Sequence, residues 1–441
     1  MSAPLSAAVV GAGLAGTEAA LVLASKGLAV DLFEMRPGLM TPAHRTDLPA
    51  ELVCSNSFKS TAVHSAHGVL KEELALLRSP LLHAARQSAV AAGSALAVDR
   101  LKFSRLAAEL LASRPDIRFI RREITTLPEG YGATIIAAGP LVSESLAQWL
   151  AAQSSATSLN FYDAIAPIVA FDSVNLSVAF FAGRHDNENA DYLNCPFTEE
   201  EYHVFFGALR EADRTAAHDF EHERFFEACL PIEVMAERDY RALTFGPLKP
   251  IGLTDPRTGT RPYAVCQLRR ENEAGTCYNM VGFQTRLTIP EQRRVFRLIP
   301  GLGNAEFLRF GSIHRNTYLD SPRLLATDLS FRSMQSVFLA GQLCGSEGYT
   351  ESIATGHLAA LFAWARISKT DLAPLPRESA LGSLLHHVTA SQNVPFTPSN
   401  IHFGLFPPLS GNAGRIRKKA NRELLAERAI NSIKEWAENM Q

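Results

Sequence analysis

Hydrophobic and polar positions at the start of the chain follow the order strand, turn, helix, strand. The apolar run Ala7–Val10 precedes the glycine-containing turn Gly11–Gly16, and the apolar-rich stretch Thr17–Lys26 has helical spacing. Gly27 is a residue type that often ends a helix, and Ala29–Phe33 is a second short apolar run. The pattern predicts a complete βαβ half-unit.

A long loop then separates this unit from the next regular elements. Between residues 36 and 58 the apolar periodicity disappears and prolines interrupt the chain. Helical spacing returns over Val69–Gln87 and Phe103–Ser113, and strands are predicted near Arg118–Ile120 and over Thr134–Ala138. These elements complete the first lobe of a nucleotide-binding domain.

The middle of the chain, from about Phe161 to Arg323, changes to short strands with helices between them. The predicted elements are strands Ala166–Phe171, Tyr263–Leu268 and Tyr278–Phe283 and helices Glu199–Asp213 and Glu221–Cys229. The strand Val337–Ala340 returns to the first architecture, and a polar helix is predicted over Arg415–Met440. We expect an α/β fold in which 1–160 and 330–441 form a discontinuous Rossmann-like domain and 161–329 an inserted α+β domain.

Composition and charge narrow the function classes. The 441 residues carry 43 basic and 45 acidic side chains, a net charge of -2, so any polyanion must meet a local basic patch. No apolar stretch approaches the length of a membrane helix, about 20 residues, so no membrane partner is expected. No pair of the six cysteines has C-x-x-C spacing, which predicts free thiols, no metal site and a cytoplasmic location.

The opening turn predicts a dinucleotide site because glycines there let backbone N–H groups and a helix N-terminus face a pyrophosphate. The residues of this turn are Gly11, Ala12, Gly13, Leu14, Ala15 and Gly16. Glu34 follows at the end of the second strand, where a carboxylate can accept hydrogen bonds from a ribose diol.

FAD is favoured over NAD because the chain has two further strand-to-glycine corners, at Thr134–Gly139 and Val337–Gly356. One cofactor spanning a discontinuous domain would meet all three corners. Gly341 and Gly348 allow close backbone approach, and Gln342 and Tyr349 are further predicted contacts.

Blocks of sequence along nearly the whole chain closely resemble one family, the folate- and FAD-dependent tRNA (uracil-5-)-methyltransferases (TrmFO), related to the larger GidA/MnmG proteins. The blocks are Val9-Val-Gly-Ala-Gly-Leu-Ala-Gly-Thr-Glu-Ala-Ala20, Phe33-Glu-Met-Arg-Pro37, Thr41-Pro-Ala-His44, Val53-Cys-Ser-Asn-Ser57, Ala95-Leu-Ala-Val-Asp-Arg100, Tyr192-Leu-Asn-Cys-Pro196, His314-Arg-Asn-Thr317 and Gly348-Tyr-Thr-Glu-Ser352. The resemblance implies transfer of a one-carbon unit from methylenetetrahydrofolate, through reduced FAD, to C5 of the T-loop uridine of tRNA. NADPH or NADH would supply the electrons.

The resemblance also assigns two cysteines. Cys229, in Phe225-Phe-Glu-Ala-Cys-Leu-Pro231, matches the position of the nucleophile that adds to uracil C6, and Cys54 matches one placed beside the flavin. A thiolate suits such an adduct because it attacks and leaves readily. The other four cysteines are expected to be small core residues.

Several polar residues are weaker candidates. His44, Arg45 and Asp47 could line a flavin or folate pocket or belong to a solvated loop, and Asp99-Arg100 could be a charge pair at a helix start. Glu347 and Glu351 could touch folate or only favour a helix N-terminus, and Arg315 has donors suited to a pterin, a flavin or a phosphate.

Basic residues suited to tRNA occur in three clusters, although each could also be a solvated face. The clusters are Arg257, Arg261, Arg269 and Arg270; Arg293, Arg294 and Arg297; and Arg415, Arg417, Lys418, Lys419 and Arg422. Three other functions stay open at the level of sequence: methylation of ribosomal RNA uridine, a plain NAD(P)H-dependent flavin oxidoreductase, and a flavin-containing RNA scaffold.

Overall fold

A computed structural model describes residues 6–154, 159–184, 190–215, 230–409 and 418–439. Its strands are β1 (Ser6–Val10), β2 (Ala29–Glu34), β3 (Ser57–Ser60), β4 (Ala89–Val90), β5 (Ala95–Val98), β6 (Ile117–Arg121), β7 (Ala133–Ile136), β8 (Leu159–Ile165), β9 (Ile168–Ala170), β10 (Phe180–Ala182), β11 (Tyr192–Phe197), β12 (Ala264–Arg270), β13 (Cys277–Met280), β14 (Phe307–Arg309), β15 (Ser312–Tyr318), β16 (Ser330–Phe331) and β17 (Met334–Leu339). Its α-helices are α1 (Leu14–Ser25), α2 (Ala66–Leu76), α3 (Pro80–Gln87), α4 (Arg100–Ala112), α5 (Glu144–Ser154), α6 (Glu199–Glu211), α7 (Ile232–Arg238), α8 (Ala242–Phe245), α9 (Ile289–Phe296), α10 (Ser321–Leu324), α11 (Tyr349–Ser368), α12 (Ala380–Ala390) and α13 (Lys418–Glu438).

The first sheet is mostly parallel and has the order β16-β17-β7-β1-β2-β6. Val10 at the end of β1 pairs with Phe33 of β2 and with Ile136 of β7, which in turn pairs with Leu339 of β17. The carboxyl ends of four strands therefore lie at one edge, which is where ligands bind in open α/β sheets. The predicted α/β, Rossmann-like fold class is confirmed.

Two predicted helices have different limits in the structure. The first starts at Leu14 rather than Thr17, because the Thr17 N–H already donates to the Gly13 carbonyl oxygen (2.9 Å). The single helix predicted over Val69–Gln87 is two helices, α2 and α3. Arg78 between them has a left-handed backbone (φ 59°), and Ser79 caps α3, so the chain turns there.

The second sheet has the order β10-β11-β12-β13-β9-β14, and its pairings are antiparallel. A separate hydrophobic core, drawn from residues 166–305, packs against it. The antiparallel pair β8 and β15 joins the sheets where the chain leaves and re-enters the first core. We propose 1–160 plus 330–441 and 161–329 as the limits of the two domains.

Buried acidic side chains join helices behind the first sheet. The Glu18 carboxylate of α1 bonds Nδ1 of His357 in α11 (2.8 Å) and accepts the N–H of Leu81 in α3 (3.0 Å). Glu73 of α2 accepts the N–H groups of Ala380 and Leu381 (2.6 and 2.8 Å), which are unsatisfied donors at the start of α12. No helix among the described residues is both long and apolar enough to cross a bilayer.

Glu73 is expected to make the protein less stable as the pH rises. Burial raises its pKa to about 8, despite the two N–H bonds that favour the carboxylate. Between its unfolded value of 4.5 and about 8, the folded state therefore holds a proton that the unfolded chain has released. The contribution to the free energy of unfolding is full below the unfolded pKa and falls by at most about 1.4 kcal/mol per pH unit across this window.

The measurement is urea unfolding of the wild type and of Glu73→Gln at several pH values between 5 and 8, with Glu72→Gln as control. Glu72 is the preceding residue but is exposed and paired with Arg86. The stability difference between wild type and Glu73→Gln should shift with pH, whereas Glu72→Gln should run parallel to the wild type. If the free energy of unfolding depends on pH in the same way in all three proteins, Glu73 is not the cause of the pH dependence.

Candidate functional site

The glycine turn between β1 and α1 has room for a ligand only at its centre. A Cβ on Gly16 would lie 1.8 Å from the Gly11 carbonyl oxygen, and one on Gly11 would lie 2.6 Å from the Ala137 oxygen. Gly11 also has φ +100°, whereas a Cβ on Gly13 would meet nothing within 4 Å. Gly11 and Gly16 therefore allow close packing inside the protein, while Gly13 faces open space at the N-terminus of α1.

Glu34 holds the glycine turn in place. One carboxylate oxygen accepts the Ala12 N–H (2.8 Å), and the other accepts the backbone N–H and Nε of Arg36 (3.1 and 2.9 Å). Burial acts to raise the pKa of Glu34, but the hydrogen bonds and charge of Arg36 outweigh it and hold that pKa below its usual value. The carboxylate is thus ionised and oriented at the end of β2, and its contact with a ribose stays a prediction.

The glycine corner that follows β17, here called the second glycine corner, faces the same cleft. Gly341 and Gly348 have positive φ values (76° and 113°), and the Gly341 N–H donates to Thr355 Oγ1 (2.9 Å). Gln342 Nε2 donates to Glu347 (2.8 Å). The structure brings most of the predicted contacts together, because one cleft is lined by Gly11, Gly13, Leu14, Ala15, Glu34, Gly139, Gly341, Gln342 and Tyr349. The predicted contacts Ala12, Gly16 and Gly348 are not among its lining residues.

Sequence reasoning missed a second, smaller recess that adjoins this cleft. It lies beyond Glu34 and is walled by Phe33, Arg122, Ile124 and Val142. The Arg122 guanidinium lies 5.1 Å from the Phe33 ring centroid. A flat recess of this kind suits an aromatic base at the end of an extended cofactor. The only signal in the sequence was its position, directly after the strand that became β6.

The loop before Cys54 divides into a buried side and an exposed side. His44 lines the cleft and bonds Thr41 Oγ1 (2.6 Å), and burial together with the charge of Arg36 lowers its pKa to about 4. It is therefore neutral at pH 7. Arg45 is exposed, and Asp47 pairs with Arg121 (3.5 Å). Of this predicted trio, only His44 faces the cleft.

Cys54 lies beside the cleft. The backbone N–H groups of Cys54 and Ser55 both donate to the hydroxyl of Tyr349 (2.9 and 3.0 Å), and Tyr349 is a cleft residue. Cys229 and the helix predicted over Glu221–Cys229 lie outside the described residues.

The remaining cysteines fit the expectation of core positions in three of four cases. Cys195, Cys266 and Cys344 are buried, and burial raises the pKa of Cys195 to about 12 and that of Cys344 to about 11. Cys277 is half-buried at the start of β13, and burial raises its pKa as well.

Two of the weaker candidates have structural partners. Asp99 caps α4 through the Lys102 N–H (3.0 Å), but Arg100 reaches across to Glu271 (2.7 Å), so the two are not a mutual charge pair. Glu351 is 1% exposed and accepts the N–H of Ile401 (3.0 Å). A buried carboxylate with this partner is not open to folate, which makes that reading of Glu351 wrong.

Sequence reasoning also missed the segment 394–402, which we call the C-terminal strap. The Ser399 N–H donates to the Gly345 carbonyl (3.1 Å), and the Glu347 N–H donates to the Ser399 carbonyl (2.9 Å). The Phe396 ring packs where a Cβ on Gly345 would lie. The strap thereby fixes the second glycine corner. Its sequence has turn-forming prolines and serines but no pattern that predicts a partner.

The basic clusters are only partly available to a phosphate backbone. Arg269 is 8% exposed and bonds Asn56, so it is not available to a phosphate backbone. Arg257 and Arg294 are paired with Asp255 and Glu291. Arg415 and Arg417 lie outside the described residues, as do the side chains of Arg315 and Lys418.

A large cavity lies away from the predicted site. It has a volume of 720 Å³ and lies between the C-terminal end of α11 and α12, lined by Phe362, Lys369, Leu375 and Arg377 among others. None of the residues predicted from the sequence lines it. We therefore assign the site from the convergence of glycine corners and polar groups rather than from volume.

Comparison with known proteins gives a consistent answer. Residues 6–371 match the family model described as glucose inhibited division protein A (GIDA). Two solved structures of Aquifex aeolicus GidA, in crystal forms II and I, align with TM-scores of 0.68 and 0.67. They cover 98% of this chain and 73% and 78% of theirs, at 14% and 15% identity, which shows the shared fold alone.

Relatives of similar length are much closer in sequence. The protein named methylenetetrahydrofolate--tRNA-(uracil-5-)-methyltransferase TrmFO from Anaeromyxobacter sp. (strain Fw109-5) is 52% identical over 433 residues, covering 97% of this chain and 95% of its own. The proteins of that name from Desulfitobacterium hafniense and Listeria monocytogenes serotype 4b are 50% and 48% identical, with at least 97% of each chain covered. The chain therefore belongs to the GIDA family and, within it, to the TrmFO group.

Proposed function

We propose that the cleft between the two glycine corners holds FAD. The residues fit such a group: Gly13 faces open space beside the N–H groups at the start of α1, and Gly341, Gln342 and Tyr349 of the second glycine corner line the same cleft. Glu34 would take the ribose, and the recess at Ile124 would take the adenine. Bound there, FAD would supply the redox chemistry and carry a one-carbon unit.

The reaction that we propose is methylation of a tRNA uridine, the T-loop uridine, at C5. Methylenetetrahydrofolate is the carbon donor, and NADPH or NADH is the reductant. Uracil C5 becomes nucleophilic once a group adds to C6, and a thiolate is suited to that step. We assign it to Cys229. Cys54, at the cleft wall, would act on the C5 side by protecting the carrier or accepting the C5 proton.

One observation carries this proposal: the backbone that bears the Cys54 thiol is held beside the cleft proposed for FAD. The segment that bears Cys54 is bonded to the first glycine turn at one end, where the Ala50 N–H donates to the Ala12 carbonyl (2.8 Å). At the other end it is bonded to Tyr349, beside the second corner. A flavin oxidoreductase acting on small molecules needs no cysteine held in this way.

The test is single-turnover incubation of the purified protein with unmodified tRNA, labelled methylenetetrahydrofolate and NADPH or NADH, followed by nucleoside analysis. We expect labelled 5-methyluridine in tRNA, lost in Cys229→Ala and in Cys54→Ala but kept in Cys277→Ala. In a parallel incubation with unmodified ribosomal RNA, label in that RNA and none in tRNA would make ribosomal RNA the substrate. NAD(P)H oxidation without label in any RNA would indicate a plain oxidoreductase, and tight tRNA binding without turnover would indicate a scaffold.

The basic residues around the start of α13 are expected to strengthen tRNA binding. Replacing Arg415, Arg417, Lys418 and Lys419 with glutamine should weaken tRNA binding and make the salt dependence of log Kd less steep, by about 0.9 for each phosphate that is no longer neutralised. The measurement is filter binding over a range of salt concentrations. Replacing Arg257 and Arg294, which are paired with carboxylates, should change neither quantity. Unchanged affinity at low salt in the fourfold variant would exclude this segment.

A further inference from the structure

Residues 50–56, here called the Cys54 segment, form a stretch of loop with unusually many fixed points. At its start, the Ala50 N–H bonds to the glycine turn. The Glu51 carboxylate accepts the N–H groups of Arg45 (2.8 Å) and Thr46 (3.0 Å) from the preceding loop. A loop with no regular secondary structure is thus anchored through specific bonds rather than through a ladder.

The next fixed point is Arg100, which connects the segment to the second sheet. Arg100, the first residue of α4, donates from Nη1 to the Leu52 carbonyl oxygen (2.9 Å). Its Nε and Nη2 form a two-point ion pair with Glu271 (2.7 and 3.1 Å), which follows β12 directly. The Glu271 side chain is 3% exposed and that of Arg100 is 16% exposed. A planar guanidinium holds both partners at once in a way that a lysine ammonium does not.

A second set of hydrogen bonds joins Asn56, the last residue of the segment, to β12. Asn56 is fully buried; its Nδ2 donates to the carbonyl oxygens of Val98 (3.0 Å) and Arg270 (2.9 Å). Its Oδ1 accepts from Nε of Arg269 (2.9 Å). All hydrogen-bonding positions of this amide except one acceptor site are therefore used, and two of its three partners belong to β12.

Between these points, Tyr349 holds the two N–H groups that flank the cysteine side chain. Its hydroxyl oxygen accepts from both Cys54 and Ser55. Val53 of this segment lines the cleft, and the Cys54 thiol forms no hydrogen bond with the described residues. These hydrogen bonds hold the backbone on both sides of the Cys54 side chain, while the thiol itself can move.

We propose that Arg100, Glu271, Asn56, Arg269 and Tyr349 are positioning residues that set the place of the Cys54 thiol at the cleft. Through these residues, the second sheet fixes the position of a thiol that acts at the edge of the first sheet. This inference rests on the role proposed above for Cys54. None of the five residues contacts a reacting atom in this scheme, and Tyr349 also lines the cleft.

The test compares two carboxylates of one hairpin. Glu271→Gln removes the charge that holds Arg100, whereas Glu273→Gln removes the partner of Lys102 in an exposed pair (68% and 42% exposed). In FAD-loaded protein, we expect iodoacetamide to alkylate Cys54 at least about fivefold faster in Glu271→Gln, as counted on the Cys54 peptide by mass spectrometry. Glu273→Gln should stay within about twofold of wild type.

Turnover is the second measurement, because a general loss of stability would not lower kcat while leaving substrate and FAD binding unchanged. The kcat of methyl transfer should fall about tenfold or more in Glu271→Gln, while the KM for tRNA and the Kd for FAD stay within about twofold. Tyr349→Phe, which keeps the ring and loses the oxygen, should accelerate alkylation in the same direction. It also serves as the second variant if Glu271→Gln does not fold.

Equal alkylation rates in Glu271→Gln, Tyr349→Phe and wild type would overturn the inference. Loss of FAD binding in parallel with faster alkylation would also overturn it, because the residues would then build the cofactor cleft rather than place the thiol. If the wild type transfers no methyl group at all, the proposed function fails, and the alkylation rates still decide whether these residues fix Cys54.

Discussion

Replacing Gly13 with aspartate is expected to abolish FAD binding without unfolding the protein. Gly13 is the N-cap of α1, with extended backbone angles (φ -73°, ψ -167°), and a Cβ there meets no atom within 4 Å. Aspartate is among the best N-cap residues and exceeds glycine there by only about 0.3 kcal/mol, so the protein without cofactor should be about as stable as wild type. Its carboxylate would occupy the place proposed for the pyrophosphate and repel it.

We expect the FAD dissociation constant of Gly13→Asp to rise at least about 100-fold, because a charge of the wrong sign replaces a favourable helix-terminus interaction. The measurements are flavin fluorescence titration and urea unfolding of the cofactor-free protein. Gly13→Ser separates size from charge: it caps equally well and should lose less affinity. A Gly13→Asp protein that purifies yellow would place the cofactor elsewhere.

Removing the carboxylate of Glu18 is expected to be the most destabilising single change outside the glycine turn. Glu18→Ala would leave His357 and the Leu81 N–H without their acceptor in a fully enclosed position, since both side chains of the pair are at most 4% exposed. Leaving buried hydrogen-bonding groups without a partner costs about 1–3 kcal/mol for each group. The loss should appear as a lower free energy of unfolding in urea.

The matched control is Glu72→Ala. Glu72 also forms an ion pair, with Arg86, but both side chains are more than 40% exposed, so its loss should cost less than about 1 kcal/mol. A second variant, Glu18→Gln, keeps one acceptor for the Leu81 N–H and should recover part of the stability. If Glu18→Ala and Glu72→Ala unfold at the same urea concentration, the buried pair contributes no more than an exposed one.

The sequence by itself determined the cofactor half of the site. The glycine turn, α1, β2 and Glu34 lie within 34 residues, and their order follows from local hydrophobic periodicity and from glycines placed where a Cβ would overlap backbone atoms. Local pattern is sufficient there because each element contacts its neighbour in the chain. Helix limits were less accurate, since capping by Gly13 and the turn at Arg78 depend on single backbone conformations.

Only the tertiary structure decided how the Cys54 segment is held in place and which basic side chains are available to a phosphate backbone. Arg100 and Glu271 are 171 residues apart in the chain, and Glu18 and His357 are 339 apart. Arg269 looks like a surface cation in the sequence but is buried against Asn56. Pairings between distant segments depend on how two sheets and their helices pack, and a charged residue has no local signal that tells whether its partner is solvent, phosphate or a carboxylate from another element.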